Sequence, residues 1–99
     1  KNKYTTIWLD YCCTYEGNES CKPQHDVTKL FERKLLLNDS IFAITWTTQH
    51  VAHDNEFSNS ADVHEDIRDI ATNNKYKIKS KFVLDYGNQM HVWIIHVLI

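Results

Sequence analysis

The stretch from Tyr76 to Ile99 constrains the fold more than any other. Its first part alternates, with Lys77, Lys79 and Lys81 on one face and Tyr76, Ile78, Phe82, Leu84 and Tyr86 on the other. Its second part, Gln89 to Ile99, is apolar on both faces and rich in β-branched residues, which favours a central strand over a helix. Gly87-Asn88 between them reads as a two-residue turn, because both residues tolerate the positive φ of primed turns. The whole is predicted to be a β-hairpin. Such a turn puts Tyr86 opposite Gln89, Leu84 opposite His91, Phe82 opposite Trp93, Ile78 opposite Val97 and Tyr76 opposite Ile99. The second face then sets Val83 beside Val92, Lys81 beside Ile94, Lys79 beside His96 and Lys77 beside Leu98. A lone monomer has no use for Met90, Val92, Ile94 and Leu98 on that face.

Upstream, the pattern predicts strands over 3–13 and 41–50 and helices over 25–37 and 60–72. In the first strand Ile7, Leu9 and Tyr11 share one face, while Tyr4, Thr6, Trp8 and Asp10 share the other. Val27, Leu30, Phe31 and Leu35 recur at helical spacing, as do Val63, Ile67, Ile70 and Ala71. Asp26 suits the start of the first helix, Arg33 and Lys34 its end, and Asn38-Asp39-Ser40 its stop. Phe42, Ile44 and Trp46 point one way from the second strand, and Thr45, Thr47 and Gln49 the other. Gly17-Asn18 and Pro23 break the polar 14–24 loop. A polar loop over 51–59 has room for a short strand near Phe57. The order β-α-β-α-β-β predicts one α+β domain over residues 1–99. The expected form is a two-layer sandwich with a four-stranded, largely antiparallel sheet and both helices on one face, a ferredoxin-like plait or near relative.

With 99 residues and 42% hydrophobic content, a single core is affordable. The net charge of −2 exerts no global pull toward nucleic acid or membrane. No apolar run reaches membrane-spanning length and no signal peptide is visible, although a start at Lys1 leaves room for a removed segment. Three cysteines are an odd set, which favours reduced thiols and a cytoplasmic location over secretion. The Asn18-Glu19-Ser20 and Asn38-Asp39-Ser40 sequons fit the minority, secreted reading.

Five groups of residues carry chemistry. His50, His53 and Asp54, with His64 on the second helix, combine imidazoles and a carboxylate suited to a divalent metal. Cys12, Cys13, Cys21 and His25 contain the donors of a zinc site, but adjacent strand cysteines face apart. The strand-ending Asp10, within Thr5 to Tyr11, resembles that of ferredoxin-like nucleases, which implies a divalent ion at a dimer interface. Lys77, Lys79 and Lys81 beside Tyr4 and Trp8 form a cationic, aromatic surface suited to single-stranded nucleic acid; the bland alternative is protection of an exposed strand edge. Asp54, Glu56, Asp62, Glu65, Asp66 and Asp69 make an acidic surface for a basic protein partner. His91 and His96 read as hydrogen-bonded core or interface residues. No nucleophile elbow, phosphate loop or Ser/His/Asp pattern is visible.

The expected function is therefore a small non-enzymatic protein-binding domain of the inhibitor, immunity or antitoxin type. The expectation is no cofactor, with a divalent metal as the alternative, and a homodimer through the open sheet face or the last strand, with Trp8, Met90, Val92, Ile94 and Leu98 as the dimer or ligand face. The alternatives are a metal-dependent nuclease or phosphodiesterase, and a single-stranded nucleic-acid binder.

Overall fold

The computed structural model describes residues 4–48, 60–86 and 90–99. The elements run β1 (Tyr4–Asp10), α1 (Pro23–Glu32), β2 (Leu36–Thr47), α2 (Ser60–Asn73), β3 (Lys77–Tyr86) and β4 (Met90–Leu98). The strand suggested near Phe57 lies outside the described residues. Both helices pack on one face of a four-stranded sheet and share one core with it. Val27, Leu30 and Phe31 of α1 and Val63, Ile67 and Ala71 of α2 meet Phe42, Ile44, Trp46, Trp93, Ile95 and Val97 of the sheet. Phe31 stands edge-on to both Phe42, at 5.9 Å, and Tyr76, at 5.2 Å. The two-layer α+β arrangement is as expected.

The sheet itself differs from the plait. Its order is β1-β2-β4-β3, with β1 and β2 parallel and the other two pairs antiparallel. The physical reason is that α1 returns the chain to the side of β1 at the same end, as a crossover helix does for parallel strands. By the same reckoning β3 runs parallel to β2, and β4 turns back to fill the slot between them. The apolar β4 is thus central, as its composition requires.

Both helices end earlier or later than their periodicity suggests because of how they are capped. Pro23 opens α1, where its missing N–H costs nothing. At the other end Lys34 adopts φ 54°, the Lys34 N–H bonds to Phe31 O and the Leu35 N–H to Leu30 O, each at 3.1 Å. This Schellman motif stops α1 before Arg33-Lys34-Leu35, which the sequence pattern had placed inside it. At the end of α2 Lys75 does the same with φ 70°, Lys75 N–H bonding to Thr72 O and Tyr76 N–H to Ala71 O. The Lys34 ammonium donates to Asn74 O and lies 4.8 Å from the centre of the Tyr76 ring, joining the two helix ends.

Asn38-Asp39 is not a helix stop but part of an irregular start to β2. Tyr4 pairs with Leu36 and Thr6 with Ile41, so the chain bulges between them. Asp39, at φ 65°, turns its carboxylate to His96, while Asn38 accepts the Ile99 N–H at 2.8 Å.

The hairpin register is half as expected. Ile78 pairs with Val97, Lys79 with His96 and Lys77 with Leu98. Nearer the turn, Tyr86 pairs with Met90, Leu84 with Val92 and Phe82 with Ile94, displaced by one residue from the expected partners. A bulge between Ser80 and Phe82 absorbs the difference. The shifted phase lets the Trp93 indole donate to Ser80 Oγ at 2.8 Å and brings Asp85 to His91. It also moves Phe82, Leu84 and Tyr86 from the core face to the opposite one.

Lys75→Gly should stabilise the protein by about 0.5–1 kcal/mol, because Gly adopts the left-handed conformation without the Cβ penalty but loses more chain entropy. A rise in the urea midpoint at unchanged slope would verify this; a fall would show that the Lys75 side chain contributes more than its backbone costs.

Candidate functional site

Three strands run in the same direction, so their carboxyl ends share one edge of the sheet, next to the start of β4. Polar side chains gather there. On the face away from the helices, the Thr45 hydroxyl donates to the Asp10 carboxylate and accepts the Tyr11 N–H at 3.1 Å. Asp10 remains exposed. The Tyr11 hydroxyl reaches Asp26, in the first turn of α1, at 2.7 Å. Burial first, and the Asp26 carboxylate second, raise the Tyr11 phenol above its ordinary range.

The loop after β1 is closed by a Cys13–Cys21 disulfide, and Cys12 is a free, exposed thiol. The expectation of three reduced thiols, and with it zinc held by Cys12, Cys13, Cys21 and His25, is therefore overturned: a disulfide sulfur offers no thiolate. The odd count concealed one pair and one remainder. Cys13 O accepts the Thr47 N–H at 3.0 Å, and the buried Tyr15 donates to Asp66 of α2 at 2.7 Å. Gly17 sits at φ 80°, where a Cβ would meet Cys21 O at 2.1 Å. An open cleft of about 380 Å³ lies between this loop and α1, lined by Glu16, Lys22, His25 and Thr28 among others.

On the helix face of the same edge, three residues from three segments form a line. Asp85 Oδ1 lies 2.5 Å from His91 Nδ1, and His91 Nε2 lies 3.0 Å from the Thr48 hydroxyl. The His91 ring is buried and stacks on Trp46 at 5.4 Å. His64 stacks on Trp93 at 4.2 Å and stands edge-on to Trp46, with the Arg68 guanidinium 5.3 Å from the Trp93 ring centre. Sequence reading placed His91 as a bonded core histidine but missed the line. Its members are scattered at positions 48, 85 and 91, and no local motif links them.

The remaining candidates separate. His50, His53 and Asp54 of the metal set, and Asp54 and Glu56 of the acidic set, lie outside the described residues. Among the described residues no group of three His, Cys, Asp or Glu side chains could hold a metal ion. Asp62, Glu65 and Asp69 are exposed on α2, whereas Asp66 turns inward to Tyr15 and Gln24. Lys77 and Lys79 are exposed beside Leu98 and His96, and Lys81 falls at the bulge. The plait behind the nuclease resemblance of Asp10 is not this sheet, so that resemblance loses its topological basis.

The sheet face opposite the helices carries a row of cross-strand neighbours, Trp8–Ala43–Ile94–Phe82, followed by Asp10–Thr45–Val92–Leu84 and Thr47–Met90–Tyr86. Trp8 is 65% exposed, Tyr86 57% and Phe82 49%, while Ala43, Thr45 and Thr47 lie buried between taller neighbours. The register shift makes this face more apolar than expected. No described element covers it. Among the described residues no helix is long and apolar enough to cross a membrane.

No family model matches the chain, and no curated protein does. Among solved structures it resembles the crystal structure of a methyltransferase from Pyrococcus furiosus, at 17% identity and a TM-score of 0.53. The superposition takes in 100% of this chain and 43% of the methyltransferase, so the chain spans less than half of that protein.

Burial, with the Arg68 charge second, holds the His64 imidazole below its ordinary pKa. The unfolded chain then binds a proton that the folded chain refuses, so this residue costs stability as the pH falls below about 6.5. His64→Phe should lessen the loss of urea stability between neutral and mildly acidic pH. An unchanged pH slope would place the acid sensitivity elsewhere.

Proposed function

We propose that the chain is one half of a doubly wound α/β domain of the methyltransferase type, and that it supplies the acceptor side of the site. The observation that carries this reading is the sheet: a mixed order β1-β2-β4-β3 that superposes along its whole length on part of a methyltransferase. β1 is an edge strand with a parallel neighbour on one side only among the described strands. Parallel strands are normally covered on both faces, and ligands bind beyond their carboxyl ends where the strand order reverses. The complementary half would add parallel strands beyond β1, cover Trp8 and Phe82, and hold the methyl donor. Asp10, exposed and oriented by Thr45, would then stand at the junction, placed to bind or deprotonate the acceptor. The donor supplies an electrophilic methyl group; this chain supplies the polar edge that receives the nucleophile.

The polypeptide carrying this chain should transfer tritium from labelled S-adenosylmethionine to one of the protein, nucleic-acid or small-molecule fractions of a cell extract. Asp10→Ala should reduce that transfer by at least about 100-fold, the lower end of what a general base contributes. Absence of transfer to any fraction would count against the reading.

A second reading retains the protein-binding domain of inhibitor, immunity or antitoxin type, with the open face paired against a second copy. It is supported by the exposed Trp8, Phe82, Tyr86 and Met90, an apolar surface of a kind that marks interfaces. Sedimentation velocity would then give a dimer that Trp8→Ser dissociates; a monomer at high concentration would remove this reading. The Cys13–Cys21 bond favours an oxidising compartment over the expected cytoplasm in either case.

A further inference from the structure

We propose that Thr48 is an activated nucleophile, prepared by Asp85 and His91 to take an acyl group from an activated carboxylic ester. This site is separate from Asp10 and does not depend on the methyltransferase reading. A buried histidine needs two polar partners for purely structural reasons, and many pairs would serve. What distinguishes this one is the order of the partners. The carboxylate faces Nδ1, so Nδ1 carries the proton and donates to Asp85 at 2.5 Å. In the neutral imidazole Nε2 then keeps a lone pair, and the Thr48 hydroxyl, 3.0 Å away, is placed to donate to it. A hydroxyl hydrogen on that line is directed at a base.

The surroundings suit that assignment. Trp46 stacks on the imidazole and the ring is buried, which fixes its orientation. Thr48 is only half-buried, immediately past the end of β2, so the hydroxyl lies nearer solvent than the base. Asp85 is 46% exposed, so solvent reaches its carboxylate. The insertion of β4 between β2 and β3 puts the imidazole between its two partners. Carboxylate, imidazole and hydroxyl in this sequence are the general apparatus of hydroxyl activation on unrelated folds.

In the reaction, Thr48 Oγ1 attacks the ester carbonyl carbon and its proton passes to His91 Nε2. The carbonyl electron pair moves to oxygen, and the imidazolium is stabilised by Asp85. Collapse breaks the bond to the alcohol oxygen, which takes the proton from Nε2 and leaves as the alcohol. The product is acyl-Thr48. Water, deprotonated by the same imidazole, then releases the carboxylic acid and restores the hydroxyl.

The test is covalent labelling of the 99-residue chain with diisopropyl fluorophosphate, located by peptide mass spectrometry. The expected result is one phosphoryl adduct, on Thr48. Asp85→Asn, at an exposed position that leaves the core intact, should slow labelling by at least about 100-fold, against the roughly 10⁴-fold loss in a complete hydrolase relay. Thr48→Ser should retain the adduct at residue 48, and Thr48→Val should abolish it. p-Nitrophenyl acetate should give a burst that Asp85→Asn slows and Thr48→Val removes. No adduct on Thr48, or equal labelling with and without the Asp85 carboxylate, would overturn the assignment. Circular dichroism of each variant separates loss of labelling from loss of fold.

Discussion

The rest of the structure depends on the seat of β4 between β2 and β3. This strand is apolar on both faces, so it can lie only where it has neighbours on both sides. Its two ladders run antiparallel to β2 and β3, which forces those two strands to run parallel to each other. β1, returned by α1, adds a third strand in that direction. Every polar group that terminates these strands therefore comes to one edge. Had β4 sat outside β3, Asp85 and Thr48 would not flank the same imidazole.

The helix layer follows from the same arrangement. Alternate residues of β4, namely His91, Trp93, Ile95 and Val97, point under the helices and are all buried. α2 covers the Trp93 end, with His64 and Arg68 one turn apart on its face, and α1 covers the Phe42 end through Phe31. A chain with two glycines has no residue to spare for helix termination. Lysine takes the left-handed position at both helix ends, and the Lys34 side chain recovers part of that cost on Asn74 and Tyr76. On the opposite face nothing described performs the covering role, and the large side chains Trp8 and Phe82 stand over a floor of Ala43 and Thr45.

Element types were legible because each has a period: two for β1 and β3, near 3.6 for the helices. The centrality of β4 was legible because it lacks a polar face. Strand direction was not, since the side-chain pattern of a strand is the same whichever way its neighbour runs. The bulge at Ser80/Phe82 was hidden for a related reason, because Phe82 and Leu84 are as apolar as a core face demands and only the Trp93–Ser80 and His91–Asp85 bonds reveal the shift. The disulfide was obscured by the third cysteine. Of the site, Asp10 was legible as a polar residue ending an apolar strand. Thr48, Asp85 and His91 were not, because no local motif links them and only the sheet order brings them together.

The two faces of that carboxyl-end edge differ in a way that bears on function. The Asp10–Thr45 pair lies beside Trp8 on the face that no described element covers. The Thr48–His91–Asp85 line lies on the helix-covered face, and its imidazole is already packed against Trp46. One group stands on an open face; the other is oriented by the fold itself. A polar group held by packing and two hydrogen bonds keeps its geometry whatever docks elsewhere. The polar line on the covered side is thus held by the fold of this chain, whereas the Asp10–Thr45 pair stands on the face that no described element covers.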